Sequence, residues 1–400
     1  MGHPARRIAA LGCLLTLLAA CSPGAHPAAS RTTTRPPTTA STTPEATPEP
    51  TATSAPDPVA TAIAGMDPRA RVAQLFVAGV RLDDLGSGAA LVSTGVGGIF
   101  LAGRSRAAAT DLGATVAGWQ AAAPGPRLWV GADQEGGAVQ TLRGPGFDVL
   151  PPALEQGALP HPALASLADR LGASLKTAGV NLDLAPVADV VPAGTESANP
   201  PIGVFSRQYG STPDVVVAAA GTVIDGLAAH GVTGALKHFP GLGRVQQNTD
   251  TSPRVVDDAT TAGDAQVAAF GSLAASPAAP MVMASSAIYD RIDPTAEAMF
   301  SSVVLTDLLR GQLRFAGPII TDDVGRAKAV AAVPPGDRAV RFLAAGGTLV
   351  LTVDAGLVPQ MIDAVLARSA TDPAFAAQVG AALHTALVAK ARAGLLPTSR

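Results

Sequence analysis

The chain predicts an α/β protein built as a single (β/α)8 barrel, and three observations carry that expectation. From residue 58 onward, eight apolar, strand-like runs alternate with Ala-rich helical stretches. Several runs stop abruptly at charged residues beside Gly or Pro, as buried strands do when they carry polar groups to their carboxyl ends. The Ala-rich stretch Ala374 to Ala393 closes the chain as a helix, which leaves nothing for a second domain.

Two segments precede the barrel. Arg6-Arg7 stands before the apolar stretch Ile8 to Ala20, too short to span a bilayer and suited to the core of a signal peptide over residues 1–20. Leu18-Ala19-Ala20-Cys21 followed by Ser22 resembles the bacterial lipobox, which implies acylation of Cys21. The membrane is then a partner through that lipid, with the domain held on the outer face of the cell membrane. An ordinary secretory signal cut at a small-residue site is the other reading. Both cysteines, Cys13 and Cys21, lie in this segment, so the mature domain offers no disulfide. Residues 21–57 are almost entirely Thr, Pro, Ala and Ser, a composition that buries too little apolar area to offset the entropy of ordering, and they read as a tether.

The barrel occupies 58–400. Asp67-Pro68 supplies an N-cap and first-turn proline for a helix leading into the first strand. The strand-like runs are Leu75 to Val80, Val96 to Leu101, Leu128 to Ala132, Val180 to Leu184, Thr233 to Leu236, Met281 to Ser285, Pro318 to Thr321 and Thr348 to Val353. Eight in roughly 340 residues fits a closed barrel with a few long loops. An open doubly wound sheet is the alternative, but no GxGxxG opens a helix after the first strand. A net charge of −3 gives no basic footprint, so nucleic acid is not an expected partner. A monomer is expected.

Four strands finish in polar residues: Asp133-Gln134-Glu135-Gly136-Gly137 after the third, Asp189 after the fourth, Lys237-His238 after the fifth and Asp322-Asp323 after the seventh. Carboxylates, a lysine and a histidine at one barrel mouth suit a substrate with many hydroxyls. Two carboxylates across a pocket are what glycoside hydrolysis needs, one to capture the oxocarbenium ion and one to move the proton. Competing chemistry is weak, since there is no P-loop, GxSxG elbow or mature-domain cysteine. His161, His230, His238 and His384 are too scattered for a metal-ligand pair, and no cofactor is expected.

Gly131-Ala132-Asp133-Gln134-Glu135-Gly136-Gly137, Lys237-His238-Phe239-Pro240-Gly241 and Ile320-Thr321-Asp322-Asp323 together resemble glycoside hydrolase family 3, especially its single-domain β-N-acetylglucosaminidases. Ala185-Pro186-Val187-Ala188-Asp189 and Tyr289-Asp290-Arg291-Ile292-Asp293-Pro294 fall in the same order, so the likeness runs over the whole barrel. The resemblance implies Asp322 as a nucleophile that forms a covalent glycosyl-enzyme with retention, and Asp323 behind it. It implies sugar binding by Asp133, Lys237 and His238, and by Arg207, which stands two residues further from Ile202-Gly203 than the family spacing.

The likeness fails at the proton donor. The family's N-acetylglucosaminidases use an Asp-x-His pair after the fifth strand, and here those positions hold Asn248 and Asp250. Leu242 and Ser286 also replace expected histidines, and after His238 the next histidine is His384. Asp250 is then the candidate acid/base, if burial or the charge of Asp322 raises its pKa; Glu135 is a further possibility, placed by the family pattern in the strand-end scaffold. The expected function is a lipid-anchored exo-glycosidase that removes β-linked N-acetylglucosamine from cell-wall fragments or glycoconjugates. A related β-glycosidase of other specificity and a non-catalytic glycan-binding lipoprotein are the alternatives.

Overall fold

The computed structural model describes residues 57–396. Cys21, the signal segment and all but the last residue of the tether lie outside them. The barrel strands are β1 (Phe76–Arg81), β2 (Gly98–Ala102), β3 (Trp129–Ala132), β4 (Leu182–Asp183), β5 (Thr233–Phe239), β6 (Met281–Ala284), β7 (Ile319–Thr321) and β8 (Val350–Thr352). Each falls on one of the eight apolar runs, because runs this short and this apolar can be buried on both faces only as parallel strands under helices.

All neighbouring pairs are parallel, and β1 pairs with both β2 and β8, with Val77 opposite Gly98 and Leu351. The ring closes between β7 and β8, where Ile320 bridges to Leu349 and the Thr321 N–H donates to the Leu349 carbonyl at 2.9 Å. Closure leaves no sheet edge in the core. Short strand pairs outside the ring, Gln134–Gly136 with Val139–Gln140 and Ile288–Tyr289 with Asp293–Glu297, build the loops above the strands' carboxyl ends.

The helices cover the ring. The entry helix α1 (Pro58–Ala64) is capped by Asp57, and α2 (Pro68–Ala73) by Asp67, whose side chain accepts the Ala70 N–H. The long pair α3 (His161–Thr177) and α4 (Pro213–Ala229) turns Leu164, Leu167, Leu171 and Leu175 on one side and Val216, Val223, Ile224 and Leu227 on the other into the core, at helical spacing. Beyond β5, α5 (Ala265–Ala274) sets Phe270 edge-on against Phe239, ring centroids 5.4 Å apart. The closing helix α6 (Pro373–Arg392) buries Lys390, whose ammonium donates to Gln74 Oε1 at 2.8 Å; burial pushes its pKa down to about 7.

One boundary differs from the sequence pattern. β5 continues three residues past Leu236, through Lys237 and His238 to Phe239. Both polar residues therefore sit inside the strand, their side chains paired with carboxylates rather than hydrated, and Lys237 is only 3% exposed.

Candidate active site

At the carboxyl ends of the strands lies a cavity of about 290 Å³. Asp133, Arg207, Lys237, His238, Asp250 and Asp322 all line it, so the ring brings together six residues spread over 190 positions of sequence. The geometry divides them into a charge-paired wall and a carboxyl-bearing region.

The wall begins where β3 ends. After Asp133 the chain reverses through Gln134–Gly136 and Val139–Gln140, and Gly136 and Gly137 make the reversal with φ of +106° and +54°. A Cβ on Gly136 would lie 2.4 Å from the Pro151 carbonyl oxygen, so the two glycines are required by conformation and by space. Lys237 Nζ donates to Asp133 Oδ1 at 2.8 Å and meets Glu135 Oε1 at 2.7 Å. Glu135 also takes both arms of Arg207, Nε at 2.8 Å and a terminal nitrogen at 2.7 Å, while the other terminal nitrogen of Arg207 donates to the Pro201 carbonyl.

Burial alone would raise Glu135, but the cations of Arg207 and Lys237 outweigh it and hold the carboxyl at about 2. Burial likewise pushes Lys237 and Arg207 down, and the facing carboxylates hold both above their ordinary values. Glu135, Arg207 and Lys237 are thus charged at neutral pH. Asp133, the most exposed carboxylate of the set, keeps Oδ2 without a partner from Lys237 and faces the cavity.

His238 is fixed from behind. Buried Asp189 accepts the His238 Nδ1–H on Oδ2 at 2.7 Å, and its Oδ1 accepts the backbone N–H groups of His238 at 3.1 Å and Leu242 at 2.7 Å. That contact assigns the ring proton to Nδ1 and leaves Nε2 for the cavity side. Leu242, at a position where the resemblance expects histidine, is buried and serves this loop by its backbone. Ser286, at the other such position, is buried with its hydroxyl unpaired among the described residues.

Asp322 follows β7 and is half-buried at the cavity surface; its Oδ1 accepts the Asp323 N–H at 2.8 Å. Burial pushes its carboxyl up to about 6, His238 opposes the rise, and Asp250 adds to it. Asp323 also lines the cavity and ties down the backbone beside it, accepting the N–H groups of Gly325, Arg326 and Val353 at 2.8 to 2.9 Å. Asp250 is exposed, on a turn in which its N–H meets Asn248 Oδ1 at 2.8 Å. Its loop is held to the loop after β7: Lys328 N–H donates to the Asp250 carbonyl at 3.2 Å and Ala329 N–H to the Thr249 carbonyl at 3.0 Å.

Two contributors go beyond the residues singled out from sequence as ligands. Glu135 is the hub of the wall, and Asn199 anchors the Arg207 loop, accepting the Ile202 and Gly203 N–H groups and donating to the Leu242 and Val245 carbonyls. In that loop Val204 and Phe205 are exposed.

This constellation can grip a polyhydroxylated ring and present two carboxyl groups to it. Among relatives, the chain is 36% identical over 288 residues to a beta-hexosaminidase of Stenotrophomonas maltophilia (strain K279a), covering 69% of this chain and 81% of that protein. Its structure is similar to that of the beta-N-acetylhexosaminidase of Beutenbergia cavernae DSM 12333, at 45% identity and a TM-score of 0.79, over 82% of this chain and 99% of that one. A glycoside hydrolase family 3 beta-N-acetylglucosaminidase from Paenibacillus sp. str. FPU-7 matches at 25% identity and a TM-score of 0.75, over 84% of this chain and 64% of that one. The family description "Glycosyl hydrolase family 3 N terminal domain" matches residues 69–380, every cavity residue named above included. The eight-stranded ring, its carboxyl-end cavity and these matches agree: the chain belongs to glycosyl hydrolase family 3.

Proposed function

We propose that the protein is a retaining exo-β-glycosidase that removes terminal β-linked N-acetylglucosamine from cell-wall fragments or glycoconjugates, with Asp322 as nucleophile. The observation that carries this reading is the meeting, in one cavity, of Asp322 with Asp133, Arg207 and Lys237, the two cations held from behind by Glu135. A wall of fixed ion pairs favours hydroxyl donors and acceptors over apolar ligands. The relatives named as beta-hexosaminidases support the amino-sugar assignment.

In this mechanism the free oxygen of Asp133 and Nε2 of His238 hold sugar hydroxyls. The Asp322 carboxylate attacks the anomeric carbon and forms a glycosyl ester as the bond to the leaving oxygen breaks. Asp250 gives that oxygen its proton and then takes one from the water that cleaves the ester. Two displacements at the same carbon retain its configuration. By the same proposal, export through the 1–20 segment and acylation of Cys21 keep the enzyme on the outer face of the membrane, with its substrate within reach of the tether.

The test is hydrolysis of an activated aryl β-N-acetylglucosaminide and of an unactivated chitobioside by wild type, Asp322→Asn and Asp250→Asn. Asp322→Asn is expected to lose both activities. Asp250→Asn is expected to keep most of kcat/KM on the aryl substrate, which reports ester formation alone, to lose kcat there because hydrolysis of the ester lacks its base, and to lose about 10²–10⁴-fold in kcat/KM on the chitobioside, as removal of a general acid does. A wild type silent on aryl N-acetylglucosaminides, glucosides and xylosides while still binding sugar contradicts the reading and leaves a glycan-binding protein.

A further inference from the structure

Asp183 takes no part in the sugar grip or the proposed chemistry. It ends β4, wholly buried at 0% exposure, in register with Ala132 of β3 and Gly234 of β5. Its Oδ1 accepts the backbone N–H of Gln134 at 3.0 Å, and its Oδ2 has no hydrogen-bond partner among the described residues. Gln134 stands between Asp133 and Glu135, the two carboxylates that meet Lys237. On its far side the Gln134 amide exchanges hydrogen bonds with the Leu142 carbonyl and N–H, at 2.8 and 2.9 Å. The turn is clamped by its side chain on one side and by Asp183 on the other.

We propose that Asp183 is a positioning residue for sugar binding, holding the turn from Asp133 to Glu135 so that both carboxylates meet Lys237. The proposal deepens the amino-sugar reading of the cavity and rests on it. The titratable groups facing Asp183 are Asp133 and Glu135 from the turn, Lys237 from β5 and the Tyr209 phenol. Around them two cations, Lys237 and Arg207, already balance two anions, Asp133 and Glu135. A third buried carboxylate, one oxygen of which finds no donor, would unbalance the set.

Asp183 therefore works as the uncharged acid. Burial pushes it up to about 8, with Asp133 and Glu135 adding to the rise and the Gln134 N–H and Lys237 opposing it. Once ionised, it repels Asp133 and Glu135, competes for Lys237 and loosens the grip.

The experiment is calorimetric binding of N-acetylglucosamine to the full chain between pH 6.5 and 9.5, for wild type, Asp183→Asn and Asp183→Leu. Wild type is expected to lose about tenfold in affinity from pH 7 to pH 9.5, the loss of roughly one buried hydrogen bond. Asp183→Asn keeps the acceptor for Gln134 and cannot ionise, so it should match wild type at pH 7 and stay level. Asp183→Leu, folded by circular dichroism, should bind about tenfold more weakly at every pH.

Melting curves read the proton without any sugar. A carboxyl whose folded pKa stands above its unfolded value of about 4 contributes stability that is complete below that value and is lost as pH rises towards the folded pKa. The melting point of Asp183→Asn should then gain on wild type from pH 4 to pH 8 and level off above. Superimposable binding profiles for wild type and Asp183→Asn, or a melting difference constant from pH 4 to pH 8, overturns the proposal. A wild type that binds no N-acetylglucosamine at pH 7 refutes the amino-sugar reading and the positioning role with it, while the melting comparison still decides whether Asp183 carries a proton.

Discussion

Replacing Glu135 with Gln removes the charge at the centre of the cavity wall while keeping its shape. Glu135 is 4% exposed and accepts from Arg207 twice and from Lys237 once. Its carboxyl is held at about 2, well below its ordinary 4.5, because the cations of Arg207 and Lys237 outweigh burial. Breaking a buried ion pair by neutralising one partner costs about 3–5 kcal/mol. For a domain of roughly 340 residues that is a fall in melting temperature of about 4–7 °C.

The sign with pH follows. A depressed carboxyl contributes stability that is present above about 4.5 and lost as pH falls towards 2. The melting difference between wild type and Glu135→Gln should therefore be full at pH 7 and close progressively below pH 4.5. Melting temperatures that agree within a degree at pH 7, or a gap that widens on acidification, would refute the argument that this carboxylate holds the wall together.

Further outcomes follow from the same geometry. In the proposed mechanism Asp322 must be ionised to attack, so kcat/KM on an aryl N-acetylglucosaminide should fall below pH 6, and a pH–rate series checks it. Asp189→Asn replaces a carboxylate that takes three donors and reverses the hydrogen bond to His238 Nδ1, so KM should rise about tenfold with a smaller change in kcat, measured by steady-state kinetics. Lys390, lowered to about 7 by burial, contributes stability that is present above its unfolded pKa and lost as pH falls through 7. Lys390→Met should therefore melt above wild type at pH 6 and lose that advantage by pH 10, as scanning calorimetry would show.

The fold was legible because the barrel's strands are continuous apolar runs, and a run such as Met281 to Ala284 has no other burial that pairs its backbone. Lys237 and His238 were legible as functional groups but not as strand interior, since polar residues in a sequence suggest an end to the strand unless their partners are known. Those partners, Asp133, Glu135 and Asp189, lie about 50 to 100 positions away, and no local pattern joins them. Asp183 was hidden for the same reason: in Asn181-Leu182-Asp183-Leu184 it reads as an ordinary alternating position, and only the ring shows that it faces Gln134 with one oxygen unpaired. From sequence, Asn248 and Asp250 stand where the resemblance expects an Asp-x-His pair, whereas the bonding of that loop to residues 328 and 329 needed the three-dimensional arrangement.

In the proposed mechanism Asp322 forms a covalent bond to the sugar. Incubating the protein with a 5-fluoro-N-acetylglucosaminyl fluoride, whose ester hydrolyses slowly, and mapping the labelled peptide by mass spectrometry tests that bond. One glycosyl adduct is expected, on the peptide carrying Ile319-Ile320-Thr321-Asp322-Asp323 and absent from Asp322→Asn. An adduct on another carboxylate, or turnover of the reagent with inversion and no adduct, would contradict it.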